Sequence, residues 1–309
     1  MRAAGFEDTR TEAGSMKRRR FLTLSAAFAS APSLSRAAPY RGTWTGQAMG
    51  ADVSVTLKGP RQLVQRTLTT IPAHLDDMES AFSLYRSDSA LSRLNRNGFL
   101  RSPAELRGIL DDIDAAYALT DGLFDPTVQP LWSALADGRD TVEARKLIGW
   151  RGVINNQTDG IRLRAGQKLT LNGIAQGFAT DFVRGHLKAA GFDHALIDIG
   201  EQAALGGPFT LGLSDPEQGI VSTLTLSDRA IASSSPAALR LGNQWHILAP
   251  DGRPPLWSTV SIEAASASWA DALSTAAVFM DLDRLRRLKR EAGLYRITAV
   301  DAEGNLRTV

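Results

Sequence analysis

Between residues 195 and 264 the chain sets out seven short strand-like segments, at 195–199, 209–213, 220–226, 229–233, 238–241, 244–248 and 257–264, with helical patterns before and after them. That mixture, without strict strand–helix–strand alternation, constrains the fold more than any other feature. It points to α+β, with mixed sheets and packed helices. Upstream, Val53, Val55 and Leu57 alternate with Asp52, Ser54 and Thr56, so residues 43–58 read as one strand. Residues 61–83 read as a helix interrupted at Pro72. Ser102-Pro103-Ala104-Glu105 has the cap, proline and acid of a helix start, and Leu106, Ile109, Leu110, Ile113 and Tyr117 continue it as an apolar stripe to about Asp121-Gly122. Asn172 reads as the cap of a helix that buries Ile174, Phe178, Phe182, Val183 and Leu187 and stops at Gly191. Ser268 opens a helix to about Met280, 281–291 a basic amphipathic helix, and 294–308 a closing hairpin around Glu303-Gly304.

The first 37 residues read differently. Met16 has the look of an initiator, followed by Lys17-Arg18-Arg19-Arg20-Phe21-Leu22, a short apolar run to Ala31, and Ser35-Arg36-Ala37 as a small-residue cleavage site. Basic head, short apolar core and small exit make a secretory signal, and Arg-Arg-x-Phe-Leu is the pattern of the twin-arginine pathway. The expectation is a periplasmic protein, with residues 1–37 as leader and 38–309 as a single domain. The leader also carries 7 of the 35 Lys and Arg and 3 of the 33 Asp and Glu, leaving 28 against 30, about −2. The formal charge of +2 therefore belongs to the leader, and no basic block with interleaved aromatics follows it, which argues against nucleic-acid binding. The absence of cysteine excludes disulfides, thiolate metal sites, a cysteine nucleophile and a lipoprotein anchor.

Common catalytic signatures are missing: no phosphate loop, no Gly-x-Gly-x-x-Gly after a strand, no Gly-x-Ser-x-Gly, and His74, His186, His194 and His246 lack zinc-site spacing. Four segments stand out instead: Ala48–Ala51, Gly122–Val128, Leu171–Asp181 and Ala270–Ala276. Asp271 and Thr275, four apart on a helix, share a face and offer a carboxylate and a hydroxyl, hard oxygen donors suited to Mg²⁺. Equally, Asp271 lies three residues after Ser268 and reads as a capping-box acid. Gly173 and Gly177 flank a helix start, where close backbone approach and the positive helix end favour an anion, or where helices simply pack closely. Asp181 reads as a solvated helix acid, Phe124-Asp125-Pro126-Thr127 as a turn, and His246 as a structural strand residue.

The ordered set of segments resembles the ApbE family of FAD:protein FMN transferases. The counterparts of that family's motifs are Met49-Gly50, Tyr85 with Ser89–Asn95, Gly122–Val128, Gln176–Asp181, Gly200, His246–Pro250 and Ala270–Thr275, spanning about 43–280. The resemblance implies an ApbE-like, T-fold-like architecture and an enzyme that binds FAD with Mg²⁺. Such an enzyme transfers the FMN moiety to a Thr or Ser hydroxyl of an acceptor protein and releases AMP. By matching positions, Asp271, Thr275 and the carbonyl of Gly173 would hold Mg²⁺. Met49, Tyr85, Leu123, Phe124, Asp125, Thr170, Gln176 and Leu248 would line the flavin nucleotide site, and His246 would assist proton removal. The implied partner is an exported acceptor with a sequence such as Asp-x-x-Thr-Gly-Ala/Ser-Thr/Ser, and any peripheral membrane association would come through it. Departures are Gln176 for the usual Lys or Glu, Gly200-Glu201 for Gly-Gly, Ser233-Ser234-Ser235 for Thr-Ser-Gly, and Ala249 for the common Asp in a shortened histidine loop. They keep two alternatives open: an FAD pyrophosphohydrolase, and a non-catalytic flavin-binding accessory protein.

Overall fold

The computed structural model describes residues 39–101, 106–156 and 159–309. The leader and the Ser102–Glu105 helix start lie outside the described residues. The backbone is the α+β arrangement that the mixed pattern predicts. Eight antiparallel strands form one sheet in the order β1-β2-β6-β7-β10-β13-β14-β15: β1 Tyr40–Ala48, β2 Ala51–Gly59, β6 Ala195–Asp198, β7 Gln202–Leu205, β10 Ala230–Ser234, β13 Thr259–Ala264, β14 Arg296–Val300 and β15 Leu306–Thr308. A small sheet joins β3 Phe99–Leu100, β5 Gly160–Arg162 and β4 Ile154–Asn156, and two hairpins stand apart, β8 Phe209–Asp215 with β9 Gly219–Leu226 and β11 Arg240–Leu241 with β12 Gln244–Trp245.

The helices are α1 Arg61–Leu68, α2 Ile71–Phe82, α3 Ala90–Asn97, α4 Arg107–Leu119, α5 Gln129–Ala136, α6 Val142–Lys146, α7 Ala175–Ala189, α8 Ala267–Ala277 and α9 Leu282–Glu291. Strand alternation divides the core into two layers. Ala195, Ile197, Leu205 and Ala232 point to the helical layer, whereas Leu196, Ala204 and Ile231 point to the opposite face and pack with Leu211, Leu213, Leu224 and Leu226 of the β8–β9 hairpin. α7 lies against β6 and β7, and α8 against β10 and β13, so these two helices run side by side over the centre of the sheet. Among the described residues no helix is long and apolar enough to cross a membrane.

Several expectations are corrected. Residues 43–58 form a hairpin and not one strand. Met49 and Gly50 take φ of 51° and 78°, and Ala48 pairs with Ala51, the two-residue mirror-image turn that suits strand twist. The alternation ran through the turn because Met49 is apolar. Asn172 does not cap α7: residues 171–174 close a turn of their own, with the Ile174 N–H donating to the Leu171 carbonyl, and the helix begins at Ala175. α8 is capped by Ser266, whose Oγ accepts from the Trp269 N–H, and not by Ser268. Strand pairing near His246 stops at Trp245, and β7 was not foreseen because Gln202-Ala203-Ala204-Leu205 carries no β-branched or aromatic residue.

Candidate active site

The site grows from the α7–α8 contact. Two glycines make that contact close. A Cβ on Gly177 would stand 2.3 Å from the Ala267 carbonyl oxygen and 2.8 Å from Asp271 Cβ, and one on Gly173 would stand 2.7 Å from Thr275 Oγ1. Each helix then caps the other. The Gly177 N–H in the first turn of α7 donates to Asp271 Oδ2 at 3.1 Å, while the Ser268 N–H of α8 donates to Asp181 Oδ2 at 2.9 Å. Asp181 also accepts from Ser266 Oγ at 2.7 Å and pairs with Arg184 at 2.8 Å. Asp271 is therefore not a capping-box acid of its own helix, and Asp181 is not merely a solvated one.

Asp271 is 4 % exposed, and its second oxygen, Oδ1, has no hydrogen-bond partner among the described residues. Burial pushes its carboxyl up to about 7. Thr275 follows one turn later with Gly173 against it, and its Oγ1 lies 3.4 Å from Ser234 Oγ, which also bonds Ser274 Oγ at 2.8 Å. A carboxylate oxygen, a hydroxyl and adjacent main chain are donors that fit a hard divalent cation with positions left for water or phosphate. Among the described residues no three His, Asp or Glu side chains gather into a metal cluster, so such a cation would rest on this sparser set.

Most of the predicted flavin-site residues fall into two groups, with Tyr85 and Leu248 apart from them. Gln176 donates from Nε2 to the Met49 carbonyl at 3.1 Å and packs against Gly200, where a Cβ would be 2.5 Å from its Cδ. Met49, held at positive φ, also donates its N–H to Glu79 Oε1 at 2.8 Å, so the strained turn is pinned from both sides. Gln176 thus spends its amide on the hairpin, a role that the sequence did not suggest.

In the second group, Leu123, Phe124 and Asp125 are buried. Asp125 accepts from the Thr127 N–H, Thr127 Oγ1 and the Trp150 N–H at 2.8, 2.5 and 3.0 Å, and burial raises its pKa. These bonds fix the Leu123–Thr127 turn, and Thr170 joins it through its N–H to the Pro126 carbonyl at 2.8 Å. Asn95, also in the motif set, clamps the Leu169 main chain with two bonds of 2.7 and 2.8 Å.

Tyr85 stands outside these groups at 76 % exposure on the 83–86 loop. His246 lies just beyond β12, with Leu248 half-buried two residues on. Its Nδ1 is 3.0 Å from the Pro236 carbonyl and 3.1 Å from that of Leu239, both acceptors, so Nδ1 carries the proton and Nε2 keeps a lone pair. Burial lowers its pKa against the raising effect of those carbonyls, leaving it a neutral base near pH 7. The segment that anchors it directly follows Ser234 and Ser235, which ties His246 to the strand end beside Thr275.

Glu201, noticed in the sequence only as a departure, is 7 % exposed and accepts from the Ser233 N–H through Oε2 at 3.1 Å. Burial, then the neighbouring Asp271, push its pKa well up. Ser234 and Ser274 lay inside segments that the sequence marked, without a role of their own, and Glu79 had no sequence signal at all. A surface depression of about 690 Å³ between Trp257, Asp281, Arg286 and Arg307 contains none of these residues.

The ApbE family model matches residues 49–297, most of the chain. The chain belongs to the ApbE family. It is 26 % identical to the FAD:protein FMN transferase of Vibrio cholerae over 274 residues, 78 % of this chain and 81 % of that protein, and 23 % identical to that of Haemophilus influenzae over 275 residues, 77 % and 80 %. Among solved structures it is similar in fold to the flavin transferase ApbE from V. cholerae, with TM-score 0.76 and 20 % identity over 88 % of this chain and 97 % of that one. It is likewise similar to the apo flavinyl transferase ApbE of Pseudomonas stutzeri, with TM-score 0.76 and 24 % identity over 89 % and 97 %.

Proposed function

We propose that this ApbE-family protein is an FAD:protein FMN transferase that moves the FMN moiety of FAD to a Thr or Ser hydroxyl of an acceptor protein. The observation that carries the reading is Asp271: a buried carboxylate with one oxygen uncommitted, beside Thr275 and Gly173 at the start of α7. Mg²⁺, when bound by Asp271, Thr275 and the Gly173 carbonyl, would neutralise pyrophosphate charge and favour the departing phosphate. The acceptor hydroxyl loses its proton to His246 Nε2 as its oxygen bonds the phosphorus of the FMN half. The bridging bond of that phosphorus to oxygen breaks and AMP leaves with the electron pair. The Met49 turn, Tyr85, the Leu123–Asp125 segment, Thr170, Gln176 and Leu248 line the flavin nucleotide.

The acceptor is proposed to be an exported protein bearing an Asp-x-x-Thr-Gly-type sequence, with both partners periplasmic and this chain exported through its twin-arginine leader. Any membrane association would run through that acceptor. The test incubates purified protein with FAD, Mg²⁺ and the acceptor and reads covalent flavin fluorescence in a denaturing gel. A fluorescent acceptor band that vanishes with EDTA supports transfer. Free FMN and AMP without a band would instead support the hydrolase, and neither product with tight FAD binding the accessory protein. For export, replacing Arg18-Arg19-Arg20 with Lys is expected to strand the precursor in the cytoplasm, and unchanged periplasmic yield would overturn that part.

A further inference from the structure

We propose that Glu201 is an additional anionic ligand of the divalent-cation site, so that this chain captures a cation before any flavin nucleotide arrives. The inference rests on the reading of Asp271 and Thr275 as cation donors. Glu201 sits in the tight connection between β6 and β7, where Gly200 takes φ of 87°. Its main chain is fixed: the carbonyl accepts from the Ile199 N–H at 3.0 Å and from Thr180 Oγ1 of α7 at 3.1 Å. Thr180 lies one turn beyond Gly177, whose N–H binds Asp271, so α7 orients both acids from one face. The Glu201 side chain reaches the Ser233 N–H, and the next residue, Ser234, touches Thr275 Oγ1. Two buried acids and the Thr275 hydroxyl therefore converge where α7, α8 and the end of β10 meet.

The bonding of these acids is incomplete in the same way. Glu201 Oε2 and Asp271 Oδ2 each accept one main-chain N–H, and Glu201 Oε1 and Asp271 Oδ1 have no partner among the described residues. Neither acid forms an ion pair with any described Lys, Arg or His, and Asp271 is a charged group that Glu201 faces. Two adjacent buried carboxylates without a counter-charge are unfavourable, and a divalent cation between their free oxygens relieves both. With one carboxylate, an Mg²⁺ site of this kind leans on substrate phosphates; a second carboxylate, with waters in the remaining positions, lessens that dependence.

The test uses the FAD-free protein and Mn²⁺ as probe, with free Mn²⁺ followed by electron paramagnetic resonance and Mg²⁺ added in competition. The expected result is one Mn²⁺ per chain without nucleotide, displaced by Mg²⁺. Glu201→Gln, which keeps shape and the Ser233 bond, and Glu201→Gly are each expected to weaken Mn²⁺ at least about tenfold, in keeping with the loss of one ligand. Unaltered melting curves would show that both variants fold. Equal Mn²⁺ affinity in wild type and both variants would overturn the inference, as would no Mn²⁺ binding to the nucleotide-free wild type, which would mean that the two acids share a proton. Flavin transfer by the wild type is assayed in parallel. Transfer with unaltered Mn²⁺ affinity in the variants sinks only the role of Glu201, whereas weakened Mn²⁺ without transfer by the wild type sinks only the proposed reaction.

Discussion

Asp181 and Asp271 make an instructive pair. Each leaves one helix of the α7–α8 contact to cap the first turn of the other, at positions one turn apart. Asp181 has its counter-charge built in, Arg184 at 2.8 Å, and also holds Ser266. Asp271 has none; its neighbour is another acid, Glu201. The same local device thus produces a charge-paired structural joint at one position and one without a counter-charge at the other. The unpaired joint is where Gly173 and Thr275 press together and where we propose the chemistry takes place. Electrostatic incompleteness inside a tightly packed frame marks the site better than residue type does.

The largest expected effect breaks that contrast at its active member. Asp271→Asn can still accept from the Gly177 N–H, so its melting temperature should stay within about 2 °C or rise as charge repulsion is lost. Flavin transfer should fall by at least about 100-fold, at or beyond the range for groups that only support a metal ligand. A variant that melts early and retains transfer would invert the assignment.

His246→Gln should lower transfer by roughly 100-fold, the scale of a general base. The pKa of His246 is lowered from 6.5, so at saturating Mg²⁺, which holds Asp271 ionised, wild-type rate should stay level above pH 6.5 and decline only at lower pH, an acid limb that the variant lacks. The unfolded chain binds the proton more readily than the folded one in that window. His246 therefore makes stability decline as pH falls below about 6.5, a slope that His246→Gln should reduce in denaturant titrations.

Gly177→Ala should cost about 1–3 kcal/mol by forcing α7 from α8, read as an earlier thermal transition. An unchanged transition would show that the close approach is not required. Asp181→Ala, the structural counterpart, should lose about 1–2 kcal/mol from its caps while transfer at saturating Mg²⁺ stays near wild type. Tyr85→Ala should raise the KM for FAD by about two- to tenfold, the worth of one exposed aromatic contact.

Much of this architecture was legible in the sequence. Helix faces such as Ile109, Leu110 and Ile113 or Val183 and Leu187 announced themselves by spacing, because burial on one side of a helix leaves a periodic trace. The motif order marked Asp271, Thr275, Gly173 and His246 before any geometry. Long-range partnerships left no such trace. Nothing near Asp181 or Asp271 in the chain says that each caps a helix about 90 residues away, a separation visible in the Gly177–Asp271 and Ser268–Asp181 bonds. Met49 at positive φ defied its own side chain, since the turn is held by Glu79 and Gln176 from distant helices. Glu201 was visible as an oddity, but only the fold brings it beside Asp271.

The most direct test of the central claim is intact and peptide-level mass measurement of an Asp-x-x-Thr-Gly acceptor after incubation with this protein, FAD and Mg²⁺. The account predicts an acceptor heavier by FMN less one water, with the mass on the Thr or Ser and an equal amount of AMP released. An unmodified acceptor alongside free FMN and AMP, or alongside intact FAD, would contradict it.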